Sequence, residues 1–241
     1  LTGEGVTIGV ISDSYNNKAI WGGSSTAESD ISQGELPGIG NEYGNVDTIN
    51  VLKDYTYLTG SDEGRAMLQI VHDIAPKAQL AFRTGFLGPN DMAVGISQLK
   101  DAGCDIIVDD VTYVTEPFFH DGIVANAVES VVSDGVAYFS SAGNYGVKSH
   151  QGTFSPAPVT PNKVSGVAHD FGNGDVYQSV TLAEGKYTIV LQWDGDLLNE
   201  VTTTDLDIFV SNEDGSGLLG FNRDNLGGDA IEVLSFAVTG G

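Results

Sequence analysis

Positive charge is scarce in this sequence. Its 241 residues hold 10 Lys+Arg against 33 Asp+Glu, a formal net charge of −23 with histidine neutral. A phosphate-backbone ligand is excluded, because counterion release needs a basic face, so no nucleic-acid partner is expected. The same balance argues against docking on anionic lipid. Cysteine is nearly absent: Cys104 stands alone, so there is no intramolecular disulfide framework and no Cys-based zinc cluster. No apolar run reaches the ~18 residues of a membrane-spanning helix, so no membrane partner is expected. The chain opens Leu1-Thr2-Gly3-Glu4-Gly5 and enters an apolar run at once, with no leader, and reads as a mature or trimmed form.

What is present is enough for a core. Hydrophobic residues make up 41% of the chain, which argues against disorder. The 32 glycines, about twice the usual share, imply many turns. Abundant Asp and Gly with little Lys suggest an acidic, solvated surface and a secreted protein. The length allows one large domain or two small ones.

Strand-like and helix-like segments alternate over the first two thirds. Val6 to Ile11 is a short apolar run that ends at Ser12-Asp13-Ser14. Strands are also expected over 47–53, 78–82, 105–109 and 136–140. Helices are expected over 62–74, 90–102 and 121–133. In the first helix Met67, Ile70, Val71 and Ile74 fall at i, i+3, i+4 and i+7. This alternation implies βαβ units and a parallel sheet covered on both faces. Sites in such sheets gather at the carboxyl ends of strands, where Asp13, Asp109, Asp110 and Asn144 fall. The texture changes at Pro156-Ala157-Pro158-Val159-Thr160-Pro161, which reads as a connector. Beyond it helical periodicity disappears, and strands are expected over 177–182, 186–193, 205–210 and 231–238. The expected organisation is α/β over 1–160 and an all-β, sandwich-like module over 161–241.

Four motifs in order resemble the subtilisin-like serine peptidases. Gly5-Val6-Thr7-Ile8-Gly9-Val10-Ile11-Ser12-Asp13 is similar to the strand that ends in the triad aspartate. Ala75-Pro76-Lys77-Ala78 resembles the turn after the helix that carries the triad histidine. Asp105 to Asp110 occupies the place of the strand lining the S1 pocket. Ser140-Ser141-Ala142-Gly143-Asn144 resembles the segment whose Asn completes the oxyanion hole. The resemblance covers about residues 1–150 and implies a partial subtilisin-like domain with helices on both faces of a parallel sheet.

Two departures stand out. Where the family's helix begins His-Gly-Thr, this chain has Glu63-Gly64-Arg65. Glutamate serves in that place in the related sedolisin-type peptidases. Those take their aspartate from one turn further along the same helix, which here is Met67, and use Asp where this chain has Asn144. The Gly-Thr-Ser stretch that carries the nucleophile is also absent. The later module is similar to a pre-peptidase C-terminal-type β-sandwich and reads as an incomplete insertion.

The resemblance implies the amino-terminal portion of a serine endopeptidase acting on peptide or protein substrates. Asp13 orients, Glu63 is the base, Asn144 stabilises the oxyanion and Asp110 lines the substrate pocket. The serine would come from outside the chain, from a carboxy-terminal fragment or a second copy that completes the fold. The chain alone is then expected to be inactive. A free Glu is a poor base near neutrality, but carboxyls sharing a proton in a cleft push one pKa up, giving an acidic optimum. The rival is a non-catalytic binding or adhesion module on a degenerate peptidase fold. In that reading Glu63 favours a helix start by charge, Asp13 caps a turn and Asn144 bends the chain. His72 and His120 have no matching nucleophile or second ligand. No organic cofactor is implied. Acidic turns at 170–175, 194–196 and 222–225 invite calcium, although none is a complete EF-hand loop.

Overall fold

In the computed structural model the described residues are 2–23, 25–195, 201–221 and 223–239. The chain divides into two compact units, residues 1–116 with 121–144, and residues 117–120 with 145–241.

The first unit is an α/β layer structure. In chain order its elements are β1 (Thr7–Ser12), α1 (Asn17–Ile20), α2 (Ala27–Ser32), β2 (Asn50–Lys53), α3 (Glu63–Ile74), β3 (Gln79–Thr84), α4 (Pro89–Asp101), β4 (Ile106–Asp109), α5 (Ile123–Ser133) and β5 (Ala137–Ser140). The five strands form one parallel sheet in the order β2-β3-β1-β4-β5. Successive side chains of a strand point to opposite faces, and both faces are covered. Val10, Leu80 and Phe82 pack with Leu68 of α3 on one face. Ile11, Ala81 and Ile107 pack on the other with Met92, Ile96 and Leu99 of α4 and Val131 of α5. The near-continuous apolar runs of β1 and β4 follow from this double burial.

The strand order also locates a crevice. From β1 the chain passes toward β2 and β3, and from β4 it passes the opposite way to β5. The neighbouring carboxyl ends of β1 and β4 therefore form a switch point, where connections diverge and leave space between them. Ile11 lies opposite Asp109 in the register, which sets Ser12 and Asp13 beside Asp110.

The second unit contains β6 (Gly185–Gln192), β7 (Ile208–Val210), β8 (Leu219–Phe221) and β9 (Ile231–Val238). β6 pairs antiparallel with β9, and β7 antiparallel with β8, so this β-rich region holds two small sheets. The expected strand over 177–182 is not formed. The compact units divide after Asn144, and the proline-rich 156–161 segment lies inside the second unit. The physical reason is local pairing. Ala157 N donates to Ala168 O (2.8 Å), and Asp170 N donates to Ser155 O (2.7 Å). These bonds fold the prolines onto the segment that follows them rather than leaving them as a linker. Among the described residues no helix is long and apolar enough to cross a membrane.

Candidate functional site

Asp13 follows β1 directly and is 4% exposed. Its Oδ1 accepts from Ser14 N (2.5 Å) and Glu63 N (2.9 Å). Its Oδ2 accepts from Ser61 N (2.5 Å) and Ser61 Oγ (2.7 Å). Burial pushes this carboxyl up, but the bonds from Ser61, Ser14 and Glu63 outweigh it and hold the group below its ordinary value. Asp13 is therefore a fixed anion whose lone pairs gather the backbone at the start of α3.

Asp62, the residue before that helix, adopts left-handed backbone (φ 59°), a costly conformation for a residue with a Cβ. Its carboxylate compensates. Oδ1 accepts from Ser14 Oγ (2.9 Å) and Asn17 N (2.7 Å), and Oδ2 from Lys18 N (3.1 Å) and Arg65 Nη1 (2.9 Å). Arg65, also buried, pairs through Nε with Asp30 (2.8 Å) and donates to Tyr15 O (2.6 Å) and Ser25 Oγ (2.8 Å). Gly64 is needed for a different reason, close approach. A Cβ there would lie 2.3 Å from the Phe82 ring and 2.9 Å from Ser14 O, so the helix start sits hard against β3 and the residues after β1.

This anchoring presents Glu63, an exposed residue, in the first turn of α3. The negative charge of Asp110 pushes its carboxyl pKa up, with smaller contributions from desolvation and from Asp13. Asp110, half-buried at the end of β4, is also raised, chiefly by burial, with the Ser12 hydroxyl opposing and Asp13 adding. Three carboxyl groups thus meet at the switch point, one held anionic and two pushed toward protonation. Environments that drive neighbouring titrations apart are what an acid–base pair requires. The neighbour that acts most on Glu63 is Asp110.

Asp109 turns away from this group. It is 5% exposed, and its Oδ1 accepts from Val111 N (3.1 Å) and Ser140 Oγ (3.1 Å). Burial raises it, opposed by those bonds and by Tyr138. Asn144 lies past β5, next to β4 in the sheet, and is exposed; its side chain makes no hydrogen bond with another described residue. His72 is buried on α3, where burial pushes its imidazole down, and its Nε2 lies 3.4 Å from Asn45 Nδ2. His120 belongs to the other unit.

The sequence pattern singled out Asp13, Glu63 and Asp110 as candidates but not Ser61, Asp62 or Arg65, which the structure places beside them. Asp62-Glu63-Gly64 just before an amphipathic helix is a start signal that could have flagged the first of these acids. No such local signal points to Asp30 as the partner of Arg65.

The acidic turns proposed for calcium mostly spend their carboxylates on backbone. Asp170 Oδ1 accepts from Gly172 N (2.8 Å) and Gly174 N (2.9 Å), and Asp224 Oδ1 accepts from Leu226 N (3.1 Å). Asp196 and Asn222 lie outside the described residues. Among the described residues no group of three or more His, Cys, Asp or Glu is placed to hold a metal ion. Comparison of the chain with protein-family models, with curated proteins and with solved structures finds no match.

Proposed function

We propose that the first unit carries the acid–base part of a secreted serine-type endopeptidase centre, with Glu63 as the proton acceptor. The observation that supports this is the meeting of Glu63 with Asp13 and Asp110 at the switch point, which raises Glu63 while Asp13 stays ionised. Glu63 takes the proton of a serine hydroxyl supplied by a segment outside the 241 residues. That hydroxyl attacks the peptide carbonyl, and protonated Glu63 returns the proton to the leaving amine. Asp13 acts by holding Ser61 and the amide of Glu63, so it positions the base rather than sharing its proton. Asp110 raises the base and faces the substrate pocket. Asn144, exposed past β5, donates to the developing oxyanion; removing one such donor typically costs ~10²–10³ in rate.

A base of this kind must be ionised to work, so activity falls as pH drops through the raised Glu63 value. Above that value the base stays ionised, so the acid limb of the pH profile reports Glu63. The experiment is an assay of peptide cleavage and of labelling by a serine-directed fluorophosphonate, on a polypeptide that carries this chain with the remainder of its reading frame. Labelling that disappears in Glu63→Gln and persists in Asp109→Asn supports the assignment. Full activity in Glu63→Gln removes it. A non-catalytic binding module is favoured by one observation, the complete use of Asp13 by backbone and Ser61 donors, and would show no labelling at any pH.

A further inference from the structure

Glu232 is the least explained residue of the second unit. It lies in β9, where side chains alternate between faces, and it shares its face with buried Leu234. Its exposure is 0%, and among the described residues neither Oε1 nor Oε2 has a hydrogen-bond partner. Burying a carboxylate without partners is strongly unfavourable, so such a group calls for an explanation. A second buried oxygen close by is in the same position. Asn225, 1% exposed, donates from Nδ2 to Asp229 O (2.8 Å) and to Ile231 O (3.1 Å), the residue next to Glu232, while its Oδ1 is unpartnered. The Asn225 amide is thus fixed, and its acceptor is left over.

Two further carboxylates border these oxygens. Asp205 Oδ1 accepts from Asn225 N (3.1 Å), which ties the segment before β7 to the Asn225 turn. Asp207, the residue before β7, and Asp205 both press on the Glu232 carboxyl by their charge. Arg223, a cation whose charge acts on Glu232, donates to Ile231 O (3.4 Å).

We infer that Glu232, Asp207 and the Asn225 amide oxygen form a calcium site within the second unit. Hard oxygen donors of this kind, two carboxylates and an amide carbonyl, suit Ca²⁺, which takes six to eight oxygens in a flexible arrangement. With two acidic ligands rather than three, the site completes its shell with water and backbone carbonyls. Mg²⁺ demands a tighter octahedron and dehydrates reluctantly, so it fits a buried, uneven donor set poorly. Asp205 stays outside the shell and positions Asn225. The site is independent of the carboxyl group at the switch point.

Trp193 gives a readout. It is 8% exposed, and its indole Nε1 donates to Thr202 Oγ1 (2.9 Å) and Thr204 O (3.2 Å), the residue before Asp205. Terbium takes calcium's oxygen sites and emits when excited through a nearby indole. The experiment uses the full chain with Trp21→Phe, which leaves Trp193 as the sole tryptophan donor. Tb³⁺ emission excited at the indole should appear and be competed away by CaCl₂ but not by the same concentration of MgCl₂. Millimolar CaCl₂ should raise the unfolding midpoint of the second unit relative to EGTA by on the order of 10 °C. Glu232→Gln and Asp207→Asn, which keep volume, should each abolish both effects. An unchanged midpoint in CaCl₂ would overturn the inference, as would terbium emission retained in both variants.

Discussion

Asp13 in the first unit and Glu232 in the second are both buried carboxyl groups, yet among the described residues Asp13 accepts four hydrogen bonds and Glu232 none. The difference extends to their surroundings. Buried charge in the first unit comes with cations and amides: Arg65 with Asp62 and Asp30, Arg83 with Asp91 and Gln98. The second unit places Glu232 near Asp205 and Asp207, with the charge of Arg223 opposing them. The chain does not pair every inward carboxylate with a cation: among the described residues Asp13 and Asp109 are held by backbone and hydroxyl donors instead. It spends two buried arginines on the helix-bearing unit. In the other unit an external cation would serve, which is why the contrast itself suggests a metal.

The largest test of this contrast removes a cation from the well-paired side. Arg65→Leu leaves buried Asp62 and half-buried Asp30 without their cation, which costs about 3–5 kcal/mol for buried pairs. It also removes one of the four hydrogen bonds that hold the left-handed Asp62 just before α3. Chemical denaturation of the variant should show the loss confined to the first unit, with the second unit's transition unmoved. A loss below about 1 kcal/mol would show that the network is a surface-grade ion pair.

Acid separates the two units with a smaller effect. A side-chain hydrogen bond from Arg83, 2.7 Å to Oδ2, holds Asp91 at about 2, helped by Lys53 and opposed by burial. A depressed carboxyl stabilises the fold above its unfolded value near 4, and that stability is lost as pH falls through about 2. The amount is roughly 2 kcal/mol, because each tenfold change in proton affinity is worth about 1.4 kcal/mol. Glu232 runs the other way. Burial raises its carboxyl, so without calcium the folded unit binds a proton more readily than the unfolded chain. Stability then rises as pH falls through the raised value toward the ordinary one. Thermal unfolding in EGTA from pH 7 to pH 3 should bring a gain in the second unit before the first unit loses stability. A parallel fall of both transitions would break the comparison.

How far these features are legible in sequence depends on their range. The first unit's sheet and three long helices are marked by period: Met67, Ile70, Val71 and Ile74 repeat at helical spacing, and β1 and β4 are short apolar runs of doubly buried strands. α1 and α2 are too short for a periodic signal, and β8 is three residues long. Residues 177–182 alternate like a strand but pair with nothing, because alternation marks a side-chain pattern and not a partner. At the candidate site, the position of each acid past a strand end was legible. What each acid does there was not: Asp13 meets Ser61 and Glu63 across about fifty residues, and no local pattern encodes that closure. Glu232 could have been noticed, because Ile231-Glu232-Val233-Leu234-Ser235-Phe236 puts a charge on the same strand face as Leu234 and Phe236.

The smallest effect is the most informative about the switch point. Glu63 is exposed, so replacing it creates no cavity. Its carboxyl is raised by Asp110, desolvation and Asp13, which means that its ionised form is disfavoured in the folded state. A raised acid lowers stability above its folded value, and the penalty vanishes as pH falls below the unfolded value. Glu63→Gln should therefore stabilise the first unit slightly at pH 7 and leave it unchanged near pH 3. Its unfolding midpoint against pH, measured beside the parent, reports that difference directly. A residue selected for the fold would be expected to destabilise when replaced. A gain at neutral pH that disappears when Glu63→Gln is made in an Asp110→Asn background identifies like-charge crowding that the fold does not need. Crowding of that kind persists where chemistry uses it, as the base assignment requires. Equal or lower stability at pH 7 would place Glu63 with the well-paired acids of its unit, and the three carboxyls would then be a helix cap rather than a proton-transfer group.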